Sequence, residues 1–183
     1  IARYMILWVY GGYYIDLDVD CYKQLENDES ITLCLTEEHI EHARKHSVDR
    51  ILTNWFFGTT RKHNFILRLI KNSINPNVNQ LKNIPAVEIP LYQSGPMLVT
   101  KLYDEMFEEI HPHTKIYSYE MTNPIPKNRL WSIDYEDIEQ LKKDFKPECF
   151  CMHYYIGTWW RKQGIPAIVV KPYIFTIVTP TIG

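Results

Sequence analysis

A glycine pair, followed by aspartates at alternate positions, is the feature that most constrains how this chain can fold. Residues 1–10 are apolar and contain neither Gly nor Pro, which predicts a buried helix. Gly11 and Gly12 end this helix, because one of them can adopt the left-handed conformation common at helix C-termini. Residues 13–19 are rich in aromatic and β-branched side chains, a composition that favours a strand. The string therefore predicts a helix, a sharp turn and a strand.

Three aspartates lie at alternate positions at the end of this predicted strand: Asp16, Asp18 and Asp20. Side chains two residues apart point to the same face of a strand, so the three carboxylates are expected to share one face. Like charges at the end of an apolar strand must protonate, pair or bind a cation. Oxygen ligands suit Mg²⁺ or Mn²⁺. The alternative is a solvated strand end with surface aspartates at a turn, but the helix, glycine pair and strand that precede the aspartates favour a metal site.

The same string resembles the signature of glycosyltransferase family 32. This family comprises DXD-containing sugar transferases, among them initiating mannosyltransferases, inositol-phosphoceramide mannosyltransferases and capsular-polysaccharide enzymes. The resemblance is dense over about the first 25 residues and sparse afterwards. The matching residues are Arg3, Tyr4, Leu7, Tyr10, Gly11, Gly12, Tyr14, Asp16, Asp18 and Val19.

Alternating predicted strands and helices indicate an α/β protein. The resemblance implies a GT-A-like fold, in which a mixed, mostly parallel sheet is flanked by helices and carries the D-x-D motif at its carboxyl edge. We expect residues 1–183 to form a single domain of this kind. Family members carry a nucleotide-binding βαβ portion before the signature, so the chain is expected to be a fragment that lacks this portion.

The resemblance also implies a function. A sugar, of the mannose type or another hexose, would move from a nucleoside-diphosphate sugar to a hydroxyl acceptor with retention of anomeric configuration. Asp16 would contact the ribose or donor sugar and help to hold Mn²⁺ (or Mg²⁺), and Asp18 would be a direct metal ligand. Residues 153–159 resemble the family's H-x-x-x-G-S-W element, with Thr158 in place of Ser, and His153 would complete the coordination.

Five further residues are implied to bind the nucleotide sugar, and for three of them the alternatives stay open. Arg3 either lies under the donor or pairs with an aspartate upstream of the chain. Asn54 either hydrogen-bonds the donor sugar or satisfies strand backbone. Gly95 either lets the backbone approach a ligand or simply precedes a helix. Thr158 and Trp159 would close over the diphosphate.

Composition excludes some functions. With a net charge of −2, the chain has no basic excess for nucleic acid. No run reaches the about 18 apolar residues of a membrane span. No N-glycosylation sequon is present, which slightly favours a cytoplasmic or membrane-peripheral location over the Golgi lumen. All four cysteines are expected to be buried thiols. The expected partners are a nucleotide sugar and a glycan, glycolipid or other hydroxyl acceptor.

Other chemistry-bearing residues carry weaker hypotheses. His39, His42 and His46 share one face of a predicted helix, but no apolar stripe fixes them as metal ligands. His63, at the start of another predicted helix, is expected to be structural.

Two alternative functions remain: a catalytically inactive protein that binds nucleotide sugar or metal, and a glycoside hydrolase. The hydrolase needs two carboxylates on opposite sides of the scissile bond, which aspartates on one strand face fit poorly.

Overall fold

The computed structural model describes residues 1–25, 28–132, 135–143 and 145–155. The helices span Ala2–Tyr10 (α1), Ile40–Lys45 (α2), Asn64–Ile74 (α3), Val78–Leu81 (α4), Ile89–Gln93 (α5), Pro96–Glu105 (α6), Phe107–Ile110 (α7), Tyr119–Thr122 (α8), Lys127–Leu130 (α9) and Tyr135–Lys142 (α10). The strands span Gly12–Ile15 (β1), Val19–Cys21 (β2), Leu33–Thr36 (β3), Phe56–Thr59 (β4), Thr114–Tyr117 (β5) and Cys151–His153 (β6).

The larger sheet has the strand order β1-β4-β3-β5 and is mixed. The pairs β1–β4 and β3–β4 are antiparallel, whereas β3–β5 is parallel. The expected α/β fold with a mixed sheet flanked by helices is confirmed. Within the described residues, however, two of the three pairings in this sheet are antiparallel, because β4 lies between β1 and β3 and runs against both. The "mostly parallel" expectation therefore holds only for the β3–β5 pair.

Helix α1 is buried along one face only, which corrects the expectation of a fully buried helix. Tyr4 and Leu7 are almost completely inaccessible and pack in the main core with residues of α3, α6 and the sheet. Met5 and Ile6 each expose about half of their surface, at 52% and 50%. Apolar composition predicted the helix correctly, but its buried residues are Tyr4 and Leu7, and Trp8 is partly buried against the same core.

The glycine pair forms the sharp turn between α1 and β1. Both glycines have positive φ, 68° at Gly11 and 85° at Gly12. The Gly11 N–H donates to the Leu7 carbonyl at 2.8 Å and so closes the helix. Gly11 combines its φ with a ψ of −158°, a region that residues with a side chain hardly ever adopt. The turn is therefore built from two glycine-dependent residues.

The predicted strand 13–19 is interrupted. β1 ends at Ile15, the Asp16 N–H donates to the Trp55 carbonyl at 2.9 Å, and the chain then turns before β2 begins at Val19. β2 does not continue the larger sheet but pairs antiparallel with β6 in a separate two-stranded sheet. Asp16 and Asp18 therefore lie in the crossing between two sheets, and only Asp20 lies within a strand.

Three of the four cysteines have the burial that the sequence predicts. Cys34, Cys149 and Cys151 are buried thiols, but Cys21 is exposed because it lies at the open end of the short β2 strand. In the described part of the chain, every helix is too short or too polar to cross a membrane.

Candidate metal centre

Asp16, Asp18 and His153 each present one ligand atom, and these atoms all lie within 4.8 Å of one another. The two aspartates lie at the turn after β1, and His153 is the last residue of β6. Pairing of β2 with β6 sets Val19 opposite His153, and the Tyr154 N–H donates to the Asp18 carbonyl at 2.8 Å. Strand pairing thus joins residues from the two ends of the sequence. Among the described residues, no other group of three or more His, Cys, Asp or Glu side chains is placed to hold a metal ion.

The His153 imidazole points at the aspartates although the residue is only 7% exposed. Its Nε2 lies 3.2 Å from Asp18 Oδ1. The ring also packs against Trp55 and Tyr155, at centroid distances of 4.8 and 4.1 Å. Its second nitrogen, Nδ1, is buried and has no hydrogen-bond partner among the described residues. The ring is therefore oriented by packing on its faces and by Asp18.

Asp16 is held by two residues that precede it. The Arg3 guanidinium forms an ion pair with Asp16 Oδ1 at 3.1 Å, with both side chains about a quarter exposed, at 25% and 26%. The Tyr14 hydroxyl donates to the same oxygen at 2.6 Å. Burial, and then this hydrogen bond, raise the pKa of Tyr14 to about 12, so the hydroxyl keeps its proton at neutral pH. Both contacts engage Oδ1, so Arg3 and Tyr14 together fix the orientation of the Asp16 carboxylate.

Arg3 links this site to the bend that precedes β4. It also donates to the Asn54 backbone carbonyl, and its guanidinium lies 4.8 Å from the centre of the Tyr14 ring. The carboxylate that pairs with Arg3 is that of Asp16, and both alternatives for Arg3 stay predictions. Asn54 lies beside the site, but the contact that it makes with Arg3 uses its backbone and not its side chain.

The remaining predicted donor-binding residues occupy different places. Gly95 begins α6, and a Cβ there would lie 2.7 Å from the Leu91 Cα and 2.8 Å from the Pro90 carbonyl oxygen, so close packing of α5 on α6 already requires glycine. The Tyr4 hydroxyl donates to the adjacent Ser94 carbonyl at 2.7 Å, which ties this junction to α1. Thr158 and Trp159 lie outside the described residues. The donor-binding roles of these residues stay predictions.

Asp20 does not join Asp16 and Asp18, which corrects the expectation of three carboxylates on one face. Its Oδ2 accepts from the Tyr154 hydroxyl at 2.6 Å and from the Lys142 ammonium at 3.2 Å. The difference arises because the chain turns between Asp18 and β2, so the strand periodicity of two does not extend across all three residues.

The three histidines of the 39–46 segment form no metal group with each other in the part of the chain that the structure describes. His39 caps α2 by accepting from the Glu41 N–H, and His42 Nδ1 lies 2.9 Å from Glu38 Oε2. His63 caps α3 by accepting from the Phe65 N–H at 3.2 Å. These contacts fit the structural roles.

Tyr14 is a site residue to which sequence reasoning gave no role, although it belongs to the family signature. The signal was present, because Tyr14 precedes Asp16 by two residues and a strand places such residues on one face. Glu38 and Tyr155, whose contacts are described below, carried no such signal.

Residues 1–39 match the model of a family described as "glycosyltransferase sugar-binding region containing DXD motif". The match covers Arg3, Tyr14, Asp16, Asp18 and Glu38, and it supports a glycosyltransferase family, a coarser assignment than family 32. A DXD family suggests the use of a divalent metal and a nucleotide sugar. No protein of curated function and no solved structure matches the chain.

Proposed function

We propose that this chain is a GT-A-like domain of a metal-dependent glycosyltransferase. It would move a hexose, of the mannose type or another, from a nucleoside-diphosphate sugar to a hydroxyl group of a glycan, glycolipid or other acceptor. The observation that carries the proposal is the convergence of Asp16, Asp18 and His153, with ligand atoms within 4.8 Å of one another. The proposed retention of anomeric configuration and the mannose-type donor derive from the family 32 resemblance.

The donor set fits a divalent cation. Two carboxylate oxygens and one imidazole nitrogen suit Mn²⁺, and Mg²⁺ less well because it prefers oxygen ligands. Asp16, Asp18 and His153 through Nε2 would hold the ion. When bound, the ion would act as a Lewis acid that stabilises negative charge on the leaving diphosphate.

The chain's own residues keep this ligand set in place. Arg3 and Tyr14 fix one oxygen of Asp16, so that the other oxygen has a defined direction. The positive charge of Arg3 also offsets part of the repulsion between the two aspartates in the absence of a cation. Arg3 is therefore proposed to orient Asp16 and to contribute positive charge on the donor side of the site.

A catalytically inactive protein that binds nucleotide sugar or metal is the second candidate. It shares the ligand set, so binding alone does not separate the two. Slow hydrolysis of the donor sugar in the absence of an acceptor separates them, because it requires the same cleavage of the sugar–phosphate bond. The glycoside hydrolase is not favoured, since Asp16 and Asp18 lie side by side with a histidine and not on opposite sides of a cleft.

The test is donor hydrolysis and transfer by the full chain, measured across a panel of nucleoside-diphosphate sugars. Activity should disappear with chelator and return with Mn²⁺. Asp18→Asn should lower turnover by about 100-fold or more, because Lewis-acid stabilisation contributes several kcal/mol and 1.4 kcal/mol is a factor of ten.

The matched control is Asp104→Asn, since Asp104 is an exposed carboxylate that pairs with Arg50 at 2.8 Å outside the site. This variant should keep full activity. Turnover that survives prolonged chelation would contradict the metal assignment, and Mn²⁺ binding without hydrolysis or transfer of any donor would favour the inactive binding protein.

A further inference from the structure

A cluster of buried polar side chains lies directly behind His153 and takes no part in the ligand set. We define this Glu38 cluster as Glu38, His42, Asn123 and Tyr155. Glu38 Oε2 accepts from the Tyr155 hydroxyl and from His42 Nδ1, each at 2.9 Å. Asn123 Nδ2 donates to the Tyr155 hydroxyl oxygen at 2.8 Å. The Tyr155 hydroxyl is thus fixed from two sides.

Glu38 is a charged group in a place where charge is costly. Only 10% of its side chain is exposed. Burial acts to raise the pKa of Glu38, but the hydrogen bond and the charge of His42 outweigh burial and hold that pKa below its ordinary value. An ionised carboxylate in such surroundings is stable only while its hydrogen-bond donors stay in place.

Tyr155 transmits this restraint to His153. The two rings are in contact, with centroids 4.1 Å apart and planes inclined by 37°. Tyr155 has a φ of 53°, which turns the chain back just after β6, and its carbonyl accepts from the Trp131 indole N–H at 3.1 Å. A non-glycine residue in this conformation costs about 1–2 kcal/mol. The surrounding contacts maintain that conformation, and with it the position of the Tyr155 ring.

Among the described residues, His153 lacks the hydrogen bond that usually fixes the ring of a metal-binding histidine. A histidine that binds a metal through one nitrogen usually donates its other ring N–H to a carboxylate, carbonyl or water, which fixes the ring. His153 Nδ1 has no such partner among the described residues. The contacts that orient its ring are therefore Asp18 at Nε2 and the aromatic side chains of Tyr155 and Trp55 on its faces.

We propose that Glu38, acting through Tyr155, is a positioning residue that holds the His153 imidazole with Nε2 directed at Asp16 and Asp18. This inference rests on the proposed function, because it takes His153 as a metal ligand. A carboxylate that orients a ligating histidine normally contacts that histidine directly. Here the restraint passes through the hydroxyl and ring of a tyrosine that lies 117 residues from the carboxylate in sequence.

The test measures Mn²⁺ affinity of the full chain by calorimetry for three variants. Tyr155→Phe keeps the ring but removes the hydroxyl. Glu38→Leu removes the acceptor at similar volume, and Glu38→Gln keeps an oxygen that can accept from Tyr155. We expect Mn²⁺ affinity to fall by about 10-fold for Tyr155→Phe and Glu38→Leu, the lower end of the effect of losing a partner that orients a metal ligand. Glu38→Gln should lose less, and the control Glu41→Gln should lose nothing.

A double-mutant cycle separates positioning from general stability. In a His153→Ala background, Tyr155→Phe and Glu38→Leu should cause no further loss of Mn²⁺ affinity, because the ring that they position is absent. Equal losses in both backgrounds would overturn the inference, as would unchanged affinity in Tyr155→Phe. If Glu38→Leu fails to fold, Tyr155→Phe and Glu38→Gln carry the same test.

A metal-free measurement keeps this inference distinct from the proposed function. The ring ¹⁵N and ¹H signals of His153, assigned with the His153→Ala variant, should shift in Tyr155→Phe but not in Glu41→Gln. If the wild-type chain binds no Mn²⁺, the metal assignment fails, while the ring signals still show whether Glu38 and Tyr155 orient His153. Unchanged ring signals in Tyr155→Phe would overturn the positioning role.

Discussion

Replacing each glycine of the turn between α1 and β1 with alanine should reveal that the two glycines are not equivalent. Gly11 has the conformation φ 68°, ψ −158°, and a Cβ there would lie 2.9 Å from the Arg61 amide nitrogen and 3.0 Å from the Thr59 carbonyl oxygen. Gly12 also has positive φ, at 85°, but a Cβ there would meet no atom within 4 Å. Gly11→Ala therefore combines backbone strain with overpacking against backbone, whereas Gly12→Ala introduces strain alone.

The magnitudes follow from these two contributions. Strain in a region that only glycine occupies readily costs about 1–3 kcal/mol, and overpacking against atoms that cannot move away costs about 1–3 kcal/mol more. Loss of conformational freedom in the unfolded chain returns about 0.4–1 kcal/mol. We expect Gly11→Ala to lower the free energy of unfolding by about 3 kcal/mol. For Gly12→Ala, with a left-handed penalty of about 1–2 kcal/mol, we expect about 1 kcal/mol.

Urea unfolding followed by circular dichroism measures both variants against the wild-type chain. The denaturant slope should stay constant, so that the shift in midpoint reports the change in stability. Equal destabilisation by the two variants, or a larger effect of Gly12→Ala, would refute the reasoning from the Arg61 and Thr59 contacts. The consequence extends to the site, because this turn joins the helix that carries Arg3 to the strand that leads to Asp16.

Two further predictions concern single side chains. Tyr14→Phe should lower kcat/KM for donor hydrolysis about tenfold or more, because it removes a hydrogen bond to the Asp16 carboxylate that contributes about 1.5–3 kcal/mol. The control Tyr13→Phe lies on the opposite strand face and should have little effect. Equal losses in the two variants would contradict the role of the contact between Tyr14 and Asp16. Burial lowers the pKa of His63 below its ordinary 6.5, so the stability that the neutral ring supports is present above pH 6.5 and is lost as pH falls through the lowered pKa. His63→Asn keeps a side-chain acceptor for the cap but removes the titrating ring. The loss of unfolding free energy between about pH 7 and pH 5, measured by urea titration, should therefore be smaller in this variant. An unchanged pH dependence would contradict the role of His63 in this loss of stability.

The sequence by itself determined the features that depend on neighbouring residues. The apolar segment 1–10 and the glycine pair predicted α1 and its sharp end, because helix formation and positive φ are local properties. His63 was expected to be structural at a helix start, and it caps α3. The resemblance of the first 25 residues to a glycosyltransferase family also identified Asp16 and Asp18, whose spacing lies within one short segment.

The resemblance also implied His153 as a third ligand, but only the tertiary structure shows how residues so far apart in sequence meet. The strand predicted for 13–19 was too long because its periodicity continues past Asp16, whereas the partners change: β1 pairs with β4 and β2 pairs with β6. That change separates Asp20 from Asp16 and Asp18, and the β2–β6 pairing brings His153 to them. The contact of Glu38 with Tyr155 had no sequence signal, since strand pairing and side-chain packing between remote segments depend on the whole fold and not on spacing within either segment.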